Sequence, residues 1–383
     1  MPDWSVYGNV SDILLSDENV PDSFKTCVIQ GIVDAGSEFS GGIGTRVGSI
    51  FVIGVISTFV TMFPILSQKY NWKVSIWFYL FARYFGAGVI IATAFVHLMD
   101  PAYGEIGSLS CVGGWGNWSI YSWVPALILA SVFGIFLVDI ASEVYVERKF
   151  GYTGIEEPDI QQMITSKDKK NENEFPNVDW DLSEHQLTSD DQQSDLDLNK
   201  TESAVEKAES INSASSIYEF KQQFAAFLIL EFGIIFHSVI IGLNLGSCSY
   251  DDFKTLYIVL VFHQSFEGLG IGARLSAIPW PSDQPEYYKY LLCLAYGLVT
   301  PVSIAIGLGV RTTYVAGGFT ANIVSGVLDS LSAGILIYTG LVEFLARDFV
   351  FNKEIKRDLT QLLFCINCLI WGAGIMSLIG KWA

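Results

Sequence analysis

Charged residues are scarce in this 383-residue chain, where they make up 16% of the sequence, against ~25% in soluble domains. Hydrophobic residues make up 51%, and the mean hydropathy is +0.39. Basic residues are also in deficit: the formal net charge is −18, and most of it lies in a polar insert at 151–219. A basic face is the electrostatic footprint of nucleic-acid binding, so nucleic acid is excluded as a partner. The composition predicts an integral membrane protein.

Other common signals are missing as well. Residues 1–15 lack the basic start and apolar core of a cleavable signal peptide. The six cysteines lack zinc-finger spacing, and the Cys365-x-x-Cys368 pair lies in an apolar run, which argues against a redox or zinc role. Cys27 and Cys111 fall in polar stretches that are predicted to lie outside the cell. A disulfide would persist there, and the sequence leaves this pairing open.

Eight apolar stretches of roughly 20 residues are each long enough to cross the hydrocarbon core as a helix. We therefore predict an all-α fold with eight transmembrane helices. The predicted spans are about 45–67, 75–99, 122–145, 223–247, 254–275, 288–310, 323–345 and 359–380.

The cations on alternate loops set the predicted orientation, because cytosolic loops carry an excess of Lys and Arg. Arg274 is counted with Lys289 on a cytosolic loop, and Arg46 on an extracellular one. Both termini are then extracellular, and the sequons at Asn9 and Asn117 predict a glycoprotein. The segments are an extracellular acidic N-terminus (1–44), helices 1–3 (45–150), a cytosolic loop (151–219) and helices 4–8 (220–383).

The acidic loop at 151–219 is predicted to be disordered, because it has too few apolar residues to form a core. Two readings are open. The loop is an inert linker, or it is a regulatory segment that binds trafficking or ubiquitination machinery. The length of the loop favours regulation.

Histidine is rare, with four in the chain, and three of them lie in or at the ends of predicted spans: His97, His237 and His263. Ionisable side chains within a membrane are costly and are usually functional. His263 and Glu267 are one helical turn apart and share a face. His237 should lie at the same depth on the antiparallel neighbouring helix. Two imidazoles and a carboxylate predict a site for a borderline divalent metal such as zinc.

Further polar residues extend this site into a line across the membrane, with a mouth, a centre and an exit. Each has a bland alternative: a membrane histidine can bond a neighbouring helix, and a charge at a helix end can face the headgroups. His97 is placed at the outer helix end, away from the central site in depth. The additional candidate ligands are Ser238 and Gln264 at the centre, His97, Asp100 and Asp329 toward the outside, and Glu231 and Glu343 toward the inside.

Four motifs carry a resemblance to a known family. They are HSVIIGL at 237–243, HQSFEG at 263–268, GVIIATAFVHL at 88–98 and SAGILIY at 332–338. With these motifs in order over all eight spans, the chain resembles the Zrt/Irt-like protein (ZIP) family of divalent-metal transporters, in its fungal and plant zinc-uptake branch.

The resemblance implies an inverted 3+2+3 repeat around the fourth and fifth spans, and zinc import across the plasma membrane through His237, His263 and Glu267. Fe²⁺ and Mn²⁺ are expected as secondary cargo, and no resident cofactor is expected. Members with a two-metal centre carry Glu where this chain has Ile241, so a single tightly held ion is predicted.

Two other functions are weighed against an importer in the bilayer. An intramembrane zinc hydrolase would need a third ligand and an acid or base beside a metal-bound water. A metal-sensing receptor would use the acidic loop as its output. The oligomeric state, a homodimer included, is left open by the sequence.

Overall fold

The computed structural model describes residues 18–33, 39–150, 194–281, 284–313, 315, 317–351 and 358–382. Over these ranges the chain is helical, with turns between the helices and no strand. A short helix, α1 (Asp22–Ile29), precedes eight long ones. These are α2 (Ile43–Lys69), α3 (Ile76–Ile106), α4 (Trp123–Phe150), α5 (Ser194–Ser247), α6 (Tyr250–Ala277), α7 (Tyr287–Val310), α8 (Phe319–Phe351) and α9 (Leu359–Ile379).

All eight long helices contain a stretch long and apolar enough to span a membrane. Large apolar side chains also cover the outside of the bundle, as at Leu129, Phe133 and Leu137 on α4. Such a surface would be unfavourable in water, but it suits contact with lipid acyl chains. The predicted all-α fold of eight membrane helices is confirmed, and the chain is a multi-pass membrane protein.

Helix α3 is longer than predicted, and this changes the position of His97. The helix runs to Ile106 through a π-helical segment, Thr93–Met99. Pro101 opens a new α-helical turn after that segment, where a missing backbone N–H is tolerated. His97 therefore lies well inside the span, and its predicted place at the outer helix end is wrong.

Helix α5 extends backward to Ser194, into the loop that was predicted to be disordered. The stretch at 201–208 contains Ala, Glu and Lys, which have high helix propensity. This part of the loop was predicted to be disordered because it is rich in charged residues, and its helix was therefore missed. Residues 151–193 lie outside the described residues.

Two arginines that were counted as loop cations lie within helices. Arg46 of α2 is fully buried, and it donates hydrogen bonds to the carbonyl oxygens of Leu245 and Cys248 at 2.7 and 2.8 Å. The C-terminal carbonyls of α5 carry partial negative charge and stabilise a cation there. Arg274, in α6, is paired with an acidic side chain of α8, as described below. Their assignment to loops was wrong because long side chains with buried partners were not considered.

The helix contacts follow the inverted repeat that the resemblance implied. Helix α2 packs against α6, and its counterpart α7 packs against α5. Helix α3 packs against α9 and α6, and its counterpart α8 packs against α4 and α5. If α2–α4 are superposed on α7–α9, and α5 on α6, each of these helix contacts is turned into its counterpart. Helices α2 and α7 pack against each other, as they must across a two-fold axis.

Close helix contacts occur at repeat-related glycines. Gly242 and Gly246 of α5 lie against α7, while Gly268 and Gly272 of α6 lie against α2. A Cβ atom at any of the four would meet heavy atoms of the facing helix at 2.0–2.7 Å. The glycines let the backbones approach closely, so the same sequence spacing positions both central helices.

One end of the first repeat is tied to α1. A disulfide joins Cys27 of α1 to Cys111, in the loop after α3, within an apolar cluster that includes Ile106 and Phe319. We call the membrane face that carries this bond the disulfide face. The opposite one is called the insert face, because α4 ends there at Phe150, immediately before the insert in the sequence.

Candidate metal centre

The three membrane histidines meet in the middle of the bundle. The ring centroids of His237 and His263 are 5.4 Å apart, and those of His97 and His263 are 5.1 Å apart. All three side chains are buried, at 1–6% exposure. The predicted convergence of His237 and His263 is present, and His97 joins them instead of lying away in depth. His263 of α6 is the central ring, with α5 on one side and α3 on the other.

Glu267 lies directly beside this histidine cluster and is fully buried. Its Oε2 atom is 3.3 Å from Nε2 of His263, one helical turn away. Its Oε1 atom accepts a hydrogen bond from the hydroxyl of Thr93 at 2.9 Å. Thr93 was missed from the sequence, since a single threonine in an apolar span carries no distinguishing signal.

Several buried atoms in this cluster have no hydrogen-bond partner in the described part of the chain. They are Nε2 of His237, Oδ1 of Asp329 and Nε2 of Gln264, while Nε2 of His263 and Oε2 of Glu267 have only each other, at 3.3 Å. Leaving a polar or charged group buried and unpaired is costly. The imidazole nitrogens and carboxylate oxygens among these atoms are of the kind that binds a divalent cation, whereas the Gln264 amide nitrogen only donates hydrogen bonds.

A cavity of about 520 Å³ lies between the cluster and the disulfide face. His97, His237 and Asp329 form its inner part, and Oδ1 of Asp329 is 4.0 Å from Nδ1 of His237. Every formally charged residue that lines it is acidic: Asp100, Glu105, Asp252 and Asp329. A low-dielectric cavity with charges of one sign concentrates ions of the opposite sign. Glu105 and Asp252 were not singled out from the sequence.

The remaining predicted ligands lie apart from the histidines or deeper in the bundle. Ser238 is buried, and Asp100 is exposed within the cavity. Glu231 is buried, with no partner for either carboxylate oxygen. Glu343 lies toward the insert face, where it pairs with Arg274 and Arg347 at 3.0 and 2.7 Å. Within the described ranges, no group of three or more His, Cys, Asp or Glu side chains is arranged closely enough to hold a metal ion as it stands.

Comparison with known proteins identifies the family of this bundle. The family model described as ZIP Zinc transporter matches residues 43–380, which include all eight spans. The chain belongs to the ZIP family of zinc transporters. It is therefore a transporter and not an enzyme, which excludes the hydrolase reading.

Individual ZIP proteins match over nearly the full chain. The chain is 51% identical to Zinc-regulated transporter 1 of Saccharomyces cerevisiae, over 99% of this chain and 98% of that protein. It is 37% identical to Zinc-regulated transporter 1 of Schizosaccharomyces pombe, over 94% and 90%. It is 31% identical to Zinc transporter 3 of Arabidopsis thaliana, over 88% and 83%. The predicted family is confirmed, with zinc as its transported substrate.

Proposed function

We propose that this chain imports Zn²⁺ across the plasma membrane into the cytosol, through a central site formed by His237, His263 and Glu267. The observation that carries the proposal is the group of buried, unpartnered nitrogen and oxygen atoms beside an acidic cavity. Two neutral imidazoles and one carboxylate suit a borderline cation. Three ligands leave coordination positions for water, so an ion can exchange.

The other polar residues have roles along the same path. Asp100 and Asp329 attract and strip the hydrated ion in the cavity, and His97 contacts it as it reaches His263. Ser238 and Gln264 supply additional oxygen ligands at the centre. Glu231 and Glu343 receive the ion on its way to the insert face. Fe²⁺ and Mn²⁺ are secondary cargo, because a His/His/Glu set accepts either ion, and no resident cofactor takes part.

The disulfide face is extracellular in this proposal. The cation bias of the loops, the disulfide between Cys27 and Cys111 and the exposed sequon at Asn117 support that orientation. Both termini are then outside, and the segment 151–219 is available to cytosolic trafficking or ubiquitination machinery. Glycans on Asn9 or Asn117 would agree with this orientation, whereas a glycan on Asn199 would reverse it.

Radioactive zinc uptake by cells that lack their own zinc importers tests the proposal. The full chain should confer uptake, and Glu267→Gln should reduce it to background at equal surface abundance. Glu143→Gln is the matched control, because Glu143 is exposed on α4, and it should transport like the wild type. Wild-type uptake by Glu267→Gln would refute the central site. Excess unlabelled Fe²⁺ or Mn²⁺ in the assay measures the secondary cargo.

A further inference from the structure

The two ends of the proposed ion path differ in charge. Toward the disulfide face, the formally charged cavity lining is acidic. Toward the insert face, Arg83 forms a bidentate pair with Asp348, with N–O distances of 2.8–3.2 Å. Glu343 is bound by Arg274 and Arg347 through one oxygen, Oε2. Three cations and two anions meet there, and this surplus of positive charge opposes the exit of a dication.

Arg274 lies on the path itself. It follows Glu267 by seven residues on α6, so both project from the same helix face, roughly 10 Å apart along the axis. Its guanidinium is mostly buried and lies 4.4 Å from the ring centroid of Phe344. An ion that leaves Glu267 along α6 toward the insert face therefore meets the Arg274–Glu343 pair.

The inverted repeat gives Glu343 a counterpart. Gly88, Thr93 and His97 of α3 have the same spacing as Gly334, Thr339 and Glu343 of α8. Each threonine begins a π-helical segment. Glu343 thus occupies, near the insert face, the position that His97 occupies beside the disulfide-face cavity.

The same comparison shows what is added at the insert face. Cys248 of α5 follows His237 at the same distance in sequence as Arg274 of α6 follows His263, so the two positions correspond. In the same way, Pro101 follows His97 at the distance at which Arg347 follows Glu343, so these two positions correspond. Neither position at the disulfide-face end carries a guanidinium of its own; Arg46 of α2 bonds the carbonyl oxygen of Cys248 but does not line the cavity at this end.

We propose that Arg274 is the inner gate of this transporter. Its guanidinium occupies the Glu343 carboxylate that the departing cation must reach. The path is closed while the Arg274–Glu343 pair holds, and it opens when α6 and α8 separate and Glu343 takes the ion. Arg274 is a positioning residue, and Glu343 is the ligand it controls. This inference rests on the ion path proposed above.

Thiol labelling from the insert face tests the gate. Thr339→Cys places the reporter one helical turn from Glu343 toward the centre, at a site that is 1% exposed. A membrane-impermeant thiosulfonate is applied to permeabilised cells, and native-cysteine labelling is subtracted with the same protein lacking the reporter. Arg274→Gln should increase labelling at least about fivefold, because breaking the pair favours the open population. Arg274→Lys should keep the low labelling of the parent.

Arg347→Gln is the matched control, because Arg347 binds the same carboxylate oxygen but lies on α8 beside Glu343 rather than on the ion-path face of α6. It should change labelling less than about twofold. Equal labelling of the parent and Arg274→Gln would overturn the gate, and so would an equal increase in Arg347→Gln.

Zinc uptake separates a gate from a purely structural ion pair. If Arg274 only neutralises Glu343, the double variant Arg274→Gln with Glu343→Gln should recover wild-type uptake. On this proposal it stays at least about tenfold slow, because the exit carboxylate is missing; full recovery would overturn the role of Glu343. Zinc binding to the purified wild type and Glu267→Gln, measured by calorimetry, reports separately on the central site. Equal zinc affinity in the two proteins would count against the proposed function. The labelling experiment would still report whether Arg274 closes the inner end.

Discussion

Helices α5 and α6 share one sequence pattern but differ in charge. Each has a histidine followed at equal spacing by two glycines, and the two histidine rings face each other. One turn after its histidine, α6 has the fully buried Glu267, whereas α5 has Ile241 at the cavity wall. The backbone frame of the site is therefore symmetric, while its charge is not. A two-fold scaffold can hold a one-sided ion site.

The strongest way to break this comparison is to move the carboxylate from α6 to α5. The double variant Ile241→Glu with Glu267→Ile keeps the composition and the helix frame. We expect zinc uptake to fall at least about 100-fold, a loss of ~2.7 kcal/mol in transition-state stabilisation. The donor Thr93 bonds position 267, and a carboxylate at 241 would face the hydrated cavity. Uptake at equal surface abundance measures this, and near-normal uptake would show that either helix can carry the charge.

Single histidine substitutions rank the three rings. His263→Ala should cost most, roughly 30-fold or more in zinc uptake, because His263 contacts both other rings. His237→Ala should follow at roughly tenfold, and His97→Ala should cost least, because Nε2 of His97 lies 3.2 Å from the carbonyl oxygen of Met376. Initial uptake rates over a range of zinc concentrations provide the ranking. A greater loss in His97→Ala than in His263→Ala would contradict it.

The repeat-related threonines sharpen the same contrast on α3 and α8. Thr93→Val removes the hydroxyl that bonds Glu267, and hydrogen bonds to charged groups contribute ~1.5–3 kcal/mol. We expect roughly tenfold slower uptake. Thr339→Val is the matched control, since the Thr339 hydroxyl donates to the carbonyl oxygen of Ile335 on its own helix, and it should lose less than about twofold. Equal losses would mean that both threonines act through helix packing.

The smallest expected effect on rate comes from adding a carboxylate to the α5 side alone. Ile241→Glu should allow a second central ion and slow turnover roughly threefold, because a more tightly held ion leaves more slowly. Anomalous scattering from zinc-soaked crystals counts the ions. Two fully occupied central sites in the wild type would contradict the prediction of a single tight ion, and unchanged occupancy in the variant would show that position 241 does not face the site.

Local sequence patterns predicted the spans and the closeness of His263 to Glu267 and His237. Apolar length identified all eight membrane helices, and the four-residue spacing placed Glu267 beside His263. Burial of two histidines and a carboxylate at matched depth also followed from antiparallel helices with a short connection. These features depend on helix geometry alone.

What the sequence analysis missed depends on contacts between distant helices. His97 was misplaced because a π-helical segment and Pro101 were not expected inside a continuous span. Arg274 was assigned to a loop because its partner, Glu343, is 69 residues away. One signal was available: the repeated spacing that relates Gly88, Thr93 and His97 to the corresponding residues of α8. It would have indicated the inverted repeat and the relation of His97 to Glu343.

The disulfide near the mouth of the cavity limits how that mouth can close. It joins α1 to the loop after α3, in a cluster that also holds α4 and α8 through Val124 and Phe319. The cavity wall that contains His97 and Asp329 is therefore braced at its outer end. The opposite wall, formed by α5 and the start of α6, is outside this cluster. That wall is held by hydrogen bonds from Arg46 of α2 to the carbonyl oxygens of Leu245, Cys248 and Ser249. We therefore expect any closure of the cavity to move α5 and α6, with the candidate ligands on them, relative to a wall that is fixed by a covalent bond.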